Sequence, residues 1–199
     1  MNLYLLRHAS AGVRRANPVI DAKRQLDKEG KQHCLQLAHV LNTLKIQFDL
    51  VVSSPLKRSL QTASLVGTET GYEAKILLSK ALSPEGTLAD FQHLLAELQG
   101  RENVLVVGHN PNLTSFLSTL IVPASGISHA ATNGSSNGTG PAAGLSAAKT
   151  ASLRLRKGSI ARVNCERRPA SLQWLLDPRV VRALYASSAS SSRRKTSRK

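Results

Sequence analysis

The chain has 199 residues, of which 41% are hydrophobic and 20% charged, a composition that suits one soluble domain with a sizeable core. No apolar run approaches the ~20 residues of a membrane span, and the Leu3–Leu6 run, cut by Arg7, is too short for a signal-peptide core. Cys34 and Cys165 lie far apart and in no Cys/His ligand pattern, so neither a disulfide framework nor a zinc site is indicated, and a reducing cytoplasm is the expected compartment.

The net charge of +15 is unevenly spread. Residues 1–122 carry 13 Lys/Arg against 10 Asp/Glu, whereas residues 123–199 carry 14 against 2, with five cations in the closing RRKTSRK. After a serine-rich run, such an ending at 187–199 reads as a disordered, solvated basic tail. Weak nonspecific contact with nucleic acid or an anionic surface is its functional alternative, although aromatics are only 4% and supply few stacking platforms.

The elements alternate along the chain. Leu3–Leu6 reads as a short buried strand, and Leu37, Leu41 and Leu44, widened by Leu35 and Ala38, mark a helix. Asp49–Val52 is strand-like and runs into SSP, an N-cap signal, with Leu56, Leu60 and Ala63 on one face of the helix that follows. Lys75–Leu78 suggests another short strand. Leu88, Phe91, Leu94, Leu95 and Leu98 give an amphipathic helix closed by Gly100, and NVLVV at 103–107 is the clearest buried strand, followed by the turn GHNP and a helix. Residues 123–149, rich in Gly, Ala, Ser, Thr and Asn, read as a flexible insertion. SLRLRKGSIARVNCE suggests a hairpin around Lys157-Gly158; ASLQWLL adds a strand and DPRVVRALYA a short helix. Apolar strands alternating with helices predict an α/β three-layer sandwich, its central sheet mainly parallel and flanked by helices, over residues 1–186.

In such a sheet, ligands bind beyond the carboxyl ends of the strands. Three predicted strands end in polar groups: Arg7-His8, SSPLKR with Arg58 one turn into its helix, and Gly108-His109-Asn110. Alone, each residue reads as a loop hydrogen-bonder or a solvated arginine. Together, two guanidiniums match phosphate oxygens, a neutral imidazole is a nucleophile near pH 7, and a second imidazole adds a donor for developing charge. That set suits phosphoryl transfer through a phosphohistidine, with no metal or other cofactor required.

The segments LYLLRHASAG, SSPLKRSLQTA and VLVVGHNPNL resemble the histidine phosphatase superfamily, and more closely its small bacterial phosphohistidine phosphatases. Arg24, Leu26 and Gly30 match a further Arg-x-Leu-x-x-x-Gly element, and Thr62 closes a Ser-Pro-x-x-Arg-x-x-x-Thr match. The resemblance covers residues 1–122 well and extends more weakly to the hairpin and Trp174. It implies a phosphoglycerate mutase-like fold, with His8 as the phosphorylated nucleophile, Arg7 and Arg58 on the phosphoryl oxygens and His109 completing the pocket. Ser10, Arg24 and Asn110 are the further phosphate-binding candidates it suggests.

Ala9 stands where the superfamily's founding motif has glycine, as in the phosphohistidine branch. Other branches protonate an alcohol leaving group with a mid-chain glutamate. The nearest candidate is Glu85 in LSPEGT, either a general acid or a solvated loop carboxylate. General-acid help is worth ~10²–10⁴-fold for an alkoxide, and far less is needed for imidazole, whose pKa is near neutral. The expected activity is therefore metal-independent hydrolysis of protein phosphohistidine in a phosphorelay or phosphotransfer protein. A small-molecule phosphomonoesterase using Glu85 is the alternative enzyme, and binding to nucleic acid or an anionic surface through the tail the alternative of another class.

Overall fold

A computed structural model of the chain describes residues 1–122 and 153–196, with side chains as far as Ser187. The insertion expected at 123–149 lies outside the described residues. Six strands form one sheet: β1 (Asn2–Arg7), β2 (Leu50–Ser53), β3 (Leu77–Leu78), β4 (Asn103–Gly108), β5 (Ile160–Asn164) and β6 (Ser171–Leu176), in the order β3-β2-β4-β1-β5-β6. The first four are mutually parallel; β5 is antiparallel to β1, and β6 to β5.

The apolar strands are buried on both faces, as the unbroken Leu and Val runs predict. Tyr4, Leu6, Val51, Leu105 and Val107 pack with Cys34, Leu37 and Leu41 of α2 (Lys28–Thr43), Ala63 and Val66 of α3 (Lys57–Glu69) and Val181 of α6 (Pro178–Thr196). The alternate residues Leu3, Leu5, Val52, Val104 and Val106 pack with Phe91, Leu94 and Leu95 of α4 (Leu88–Glu97) and Leu113, Phe116 and Leu117 of α5 (Asn112–Ile121). This is the expected three-layer α/β sandwich.

Local expectations hold unevenly. In α2 the core face is Cys34, Leu37, Ala38, Val40 and Leu41, while Leu35 and Leu44 are 45% and 51% exposed. In α3 the buried face of the first turns is polar, made of Arg58, Ser59 and Thr62, so an apolar stripe misreads it. Its N-cap is Leu56, with Ser54 Oγ accepting the Leu56 N–H. Thr87 and Asp90 form a capping box on α4, whose far end meets Gly100 at φ +86°.

Two corrections concern the C-terminal part. The stretch before Lys157-Gly158 is not a strand: β5 pairs with β1 and with β6, so the hairpin turns at 165–170 instead. Leu155 is buried in the core and its carbonyl accepts from Arg7 and Asn110, which holds residues 153–156 as an arm across the strand ends. The last helix is also longer than expected. It runs to Thr196, through most of the segment where a disordered tail is predicted, and no Gly or Pro interrupts it after Pro178.

An excursion unforeseen from the pattern leaves the end of β1 at Ala11 and returns at Leu26, closed by an antiparallel bridge between those two residues. It carries the short α1 (Pro18–Ala22), capped by Asn17.

Candidate active site

Register explains why distant residues meet. β1 and β4 pair with Arg7 opposite Gly108, so His8 and His109 both fall one step beyond the ladder. The His8 N–H donates to Gly108 O at 3.1 Å, and the imidazole centroids lie 4.9 Å apart. β2 pairs in step with β4, Ser53 opposite Val107, and the Ser54 N–H bonds Val107 O. The chain then turns into α3, whose second residue is Arg58.

Each group is tightly held. His8 is 5% exposed, and its Nδ1 lies 2.8 Å from Ala9 O. A carbonyl only accepts, so Nδ1 carries the proton and Nε2 keeps its lone pair, the form a nucleophile needs. Burial, reinforced by Arg58, Arg7 and Arg24, pushes the His8 pKa down to about 3, against a partial rise from the Ala9 bond. His109 Nε2 sits 3.0 Å from Ser54 Oγ and 3.1 Å from Ser59 Oγ. Burial, then the charges of His8 and the arginines, lowers its pKa to about 2.

Arg7 donates from Nη1 to Leu155 O at 2.8 Å, and Arg58 from Nη1 to the Asp21 carbonyl at 3.0 Å and its Oδ2 at 3.3 Å. Nε of both arginines is buried without a partner among the described residues, leaving donor capacity in each guanidinium. Asp21, which the sequence reading passed over, also binds Arg24 Nε at 2.9 Å and so ties two arginines together. The Arg15 backbone N–H and then Arg24 and Arg58 hold its carboxyl below the ordinary value, so it stays a carboxylate. The signal was faint: an Asp three residues before an Arg, in a segment without clear periodicity.

A cavity of about 810 Å³ opens over these groups and is lined by Arg7, His8, Asp21, Arg24, Arg58, Glu85, His109 and Asn110, joined by Arg14, Arg15 and Lys157 at its cationic wall. Ser10 is not part of that lining. Its hydroxyl donates to Asp27 Oδ2 at 2.7 Å, and Asp27 caps α2 through Gly30 N. A Cβ at Gly30 would run into Ser10 O, so glycine is what lets α2 start against this turn. Asn110 lines the cavity but spends its amide N–H on Leu155 O. Glu85 is an exposed residue at the edge, in a loop pinned by Asn112, whose Nδ2 donates to Ser83, Pro84 and Gly86 carbonyls.

Residues 3–83 match the family model of the histidine phosphatase superfamily, branch 1. An uncharacterized protein of Picosynechococcus sp. is 30% identical over 123 residues, 60% of this chain and 73% of that one. Among solved structures, the tungstate complex of the protein histidine phosphatase SixA superposes with a TM-score of 0.69 at 21% identity, covering 89% of this chain and 97% of its own. A putative phosphohistidine phosphatase SixA from Agrobacterium tumefaciens gives 0.64 at 20% identity, over 89% and 97%. A putative alpha-ribazole-5'-P phosphatase from Escherichia coli gives 0.61 at 21%, over the same shares. The chain belongs to the histidine phosphatase superfamily, with the phosphoglycerate mutase-like fold, and is an enzyme of the phosphatase class.

The buried neutral imidazoles bear on stability. Unfolded, His8 takes up a proton near its ordinary 6.5; folded, not until about 3. Between those values the unfolded state binds more protons, so stability falls as pH drops from about 6.5 toward 3. His109 and His33 are shifted the same way, chiefly by burial. Urea midpoints are expected to be lower at pH 5 than at pH 7.5, and the gap to narrow in His109→Asn.

Proposed function

We propose that this chain is a metal-independent phosphatase of protein phosphohistidine, acting through phospho-His8. The observation that carries the reading is the tautomer: an Nδ1–H fixed on Ala9 O leaves Nε2 as a lone pair in a cavity walled by arginines. Nε2 attacks phosphorus, the P–N bond of the substrate breaks, and the departing imidazole takes up a proton. Water then attacks phospho-His8, the P–Nε2 bond breaks, and inorganic phosphate leaves. Arg7 and Arg58 neutralise the phosphoryl oxygens in both steps and Arg24 adds positive potential, while the neutral His109 lines the cavity beside His8. Asn110 and Ser10 act here by positioning, through Leu155 O and Asp27 respectively.

The substrate follows from the leaving group. Glu85 is solvated, whereas an imidazole needs little protonation to depart. SixA, a protein histidine phosphatase by name, shares the fold and supports the same choice. The second reading, a phosphomonoesterase for a small ester, is favoured by Glu85 lining the catalytic cavity, and the likeness to the alpha-ribazole-5'-P phosphatase supports it.

The experiment compares Glu85→Gln with wild type, EDTA present, on a phosphohistidine protein and on an aryl phosphate and a sugar phosphate. The expected result is turnover of the phosphohistidine protein changed by less than about twofold, with any loss confined to esters at about 10²-fold. Wild-type turnover restricted to esters, lost in Glu85→Gln, makes the second reading the correct one.

A further inference from the structure

Beside the catalytic cavity lies a second one of about 460 Å³, and the two share Arg7, Asn110 and Lys157 as their common wall. Six cations line it and one carboxylate, Glu29. Arg182 faces Glu29 at 3.4 Å, while Arg156 and Arg179 share Asp177 at 3.2 and 2.9 Å. Arg154 and Lys157 are exposed and have no ion pair among the described residues. Cations therefore remain in excess after every pairing, in a concave site that continues the phosphoryl pocket.

The arm that carries Arg154, Arg156 and Lys157 is fixed to the catalytic strand. Leu155 O accepts from Arg7 and Asn110, and the Gly158 N–H bonds the carbonyls of Arg7 and His8. Gly158 has φ +80°, and a Cβ there would meet the His33 ring, whose Nε2 bonds Gly158 O at 2.9 Å. The charges are thus held at set positions relative to His8, which lowers the ordering cost of binding. A further groove, which meets the catalytic cavity at Leu56 and Glu85, carries Asp90 and Glu97 with Lys80 and His93. Carboxylates therefore outnumber cations in the groove toward α4, whereas cations outnumber carboxylates in the cavity toward α6.

We propose that this cationic cavity docks an acidic segment of the protein that bears the phosphohistidine, so that substrates are chosen by carboxylates flanking the phosphorylated residue. The proposal rests on the phosphohistidine reading above. A segment whose phosphoryl group sits at His8 must leave by one side of the mouth, and a run of Asp and Glu is attracted to the Arg154 side and repelled from the Asp90 side. Nucleic acid fits less well, because no Phe, Tyr or Trp lines the second cavity and its one ring, His33, is buried and bonded to Gly158 O, which leaves little to stack on a base.

The test uses the full chain and an Arg154→Ser/Arg179→Ser double variant, both sites lying outside the catalytic cavity. Three phosphohistidine peptides differ only in flanks of Asp/Glu, Ser/Gln or Lys, and free phosphoramidate reports the basal reaction. Wild type should favour the acidic peptide over the neutral one by about three- to tenfold in kcat/KM, carried by KM. The double variant should lose that preference and keep phosphoramidate turnover. Equal turnover of acidic and neutral peptides by wild type, or equal losses on both in the variant, overturns the docking proposal alone. If no phosphohistidine substrate turns over while an aryl phosphate does, the functional reading fails first. Binding then decides the docking site separately: anisotropy with the unphosphorylated acidic peptide should weaken with salt and in the double variant, and equal binding to both proteins overturns it. A single-stranded oligonucleotide bound more tightly than the acidic peptide, with the same dependence on Arg154 and Arg179, overturns the assignment to a protein partner.

Discussion

His8→Ala is expected to lower turnover by roughly 10⁴-fold or more on every phosphorylated substrate and to remove acid-labile labelling of the chain. The size follows from the mechanism. A nucleophile that forms a covalent intermediate is not replaced by its neighbours, and the other imidazole lining the cavity, His109, has its Nε2 engaged by Ser54 and Ser59. Rapid-quench labelling with a radioactive phosphoryl donor checks it: wild type traps label that is stable to alkali and lost in acid, and His8→Ala traps none. Full activity in the variant sinks the mechanism. The fold should persist, because β1 is held by β4 and β5 along its length and His8 lies one residue past its end.

Arg58→Ala is expected to cost about 10²–10³-fold in kcat, the usual effect of removing one preorganised charge from a developing oxyanion. Arg58 is 5% exposed, and Asp21 fixes its guanidinium at two points. Arg58→Lys should recover only part of the loss, since an ammonium keeps the charge but not the planar fork. Removing Arg58 also leaves Asp21 with Arg24 as its remaining ion-pair partner among the described residues. Steady-state kinetics on one phosphoryl substrate distinguish the cases: a change in KM alone, with kcat intact, contradicts a role in stabilising the transition state.

These effects were legible from sequence to different degrees. Arg7, His8, Arg58 and His109 stand out because each closes or follows an apolar strand, and in a parallel sheet those ends share one rim. The structure brings all four into one cavity with Arg24, Asn110 and Glu85. Ser10 is a phosphate-binding candidate on the family resemblance alone, and a resemblance in sequence does not say where a hydroxyl points: here it donates to Asp27. Asp21 was missed for the converse reason. Its partner Arg58 is 37 residues away, and the segment between contributes no repeating pattern linking them. The arm before Gly158 shows alternation like a strand, yet its backbone is bound by Arg7 and Asn110 side chains rather than by a ladder.

The sequence by itself determined the layers, the chain order of strands and helices as far as α5 apart from the short α1, and the four strand-end residues that the structure brings into one cavity. Hydrophobic periodicity records which faces are buried, and strand ends record where a sheet stops. Tertiary structure alone decided the tautomer of His8, the Asp21 clamp on two arginines and the cationic cavity under Arg154. The tautomer depends on how the neighbouring Ala9 carbonyl meets Nδ1 beyond the end of β1, and the clamp and the cavity on groups brought from far along the chain, as when Leu155 O meets Arg7 across 148 residues. Such contacts satisfy individual polar groups and leave no periodic trace in the local sequence.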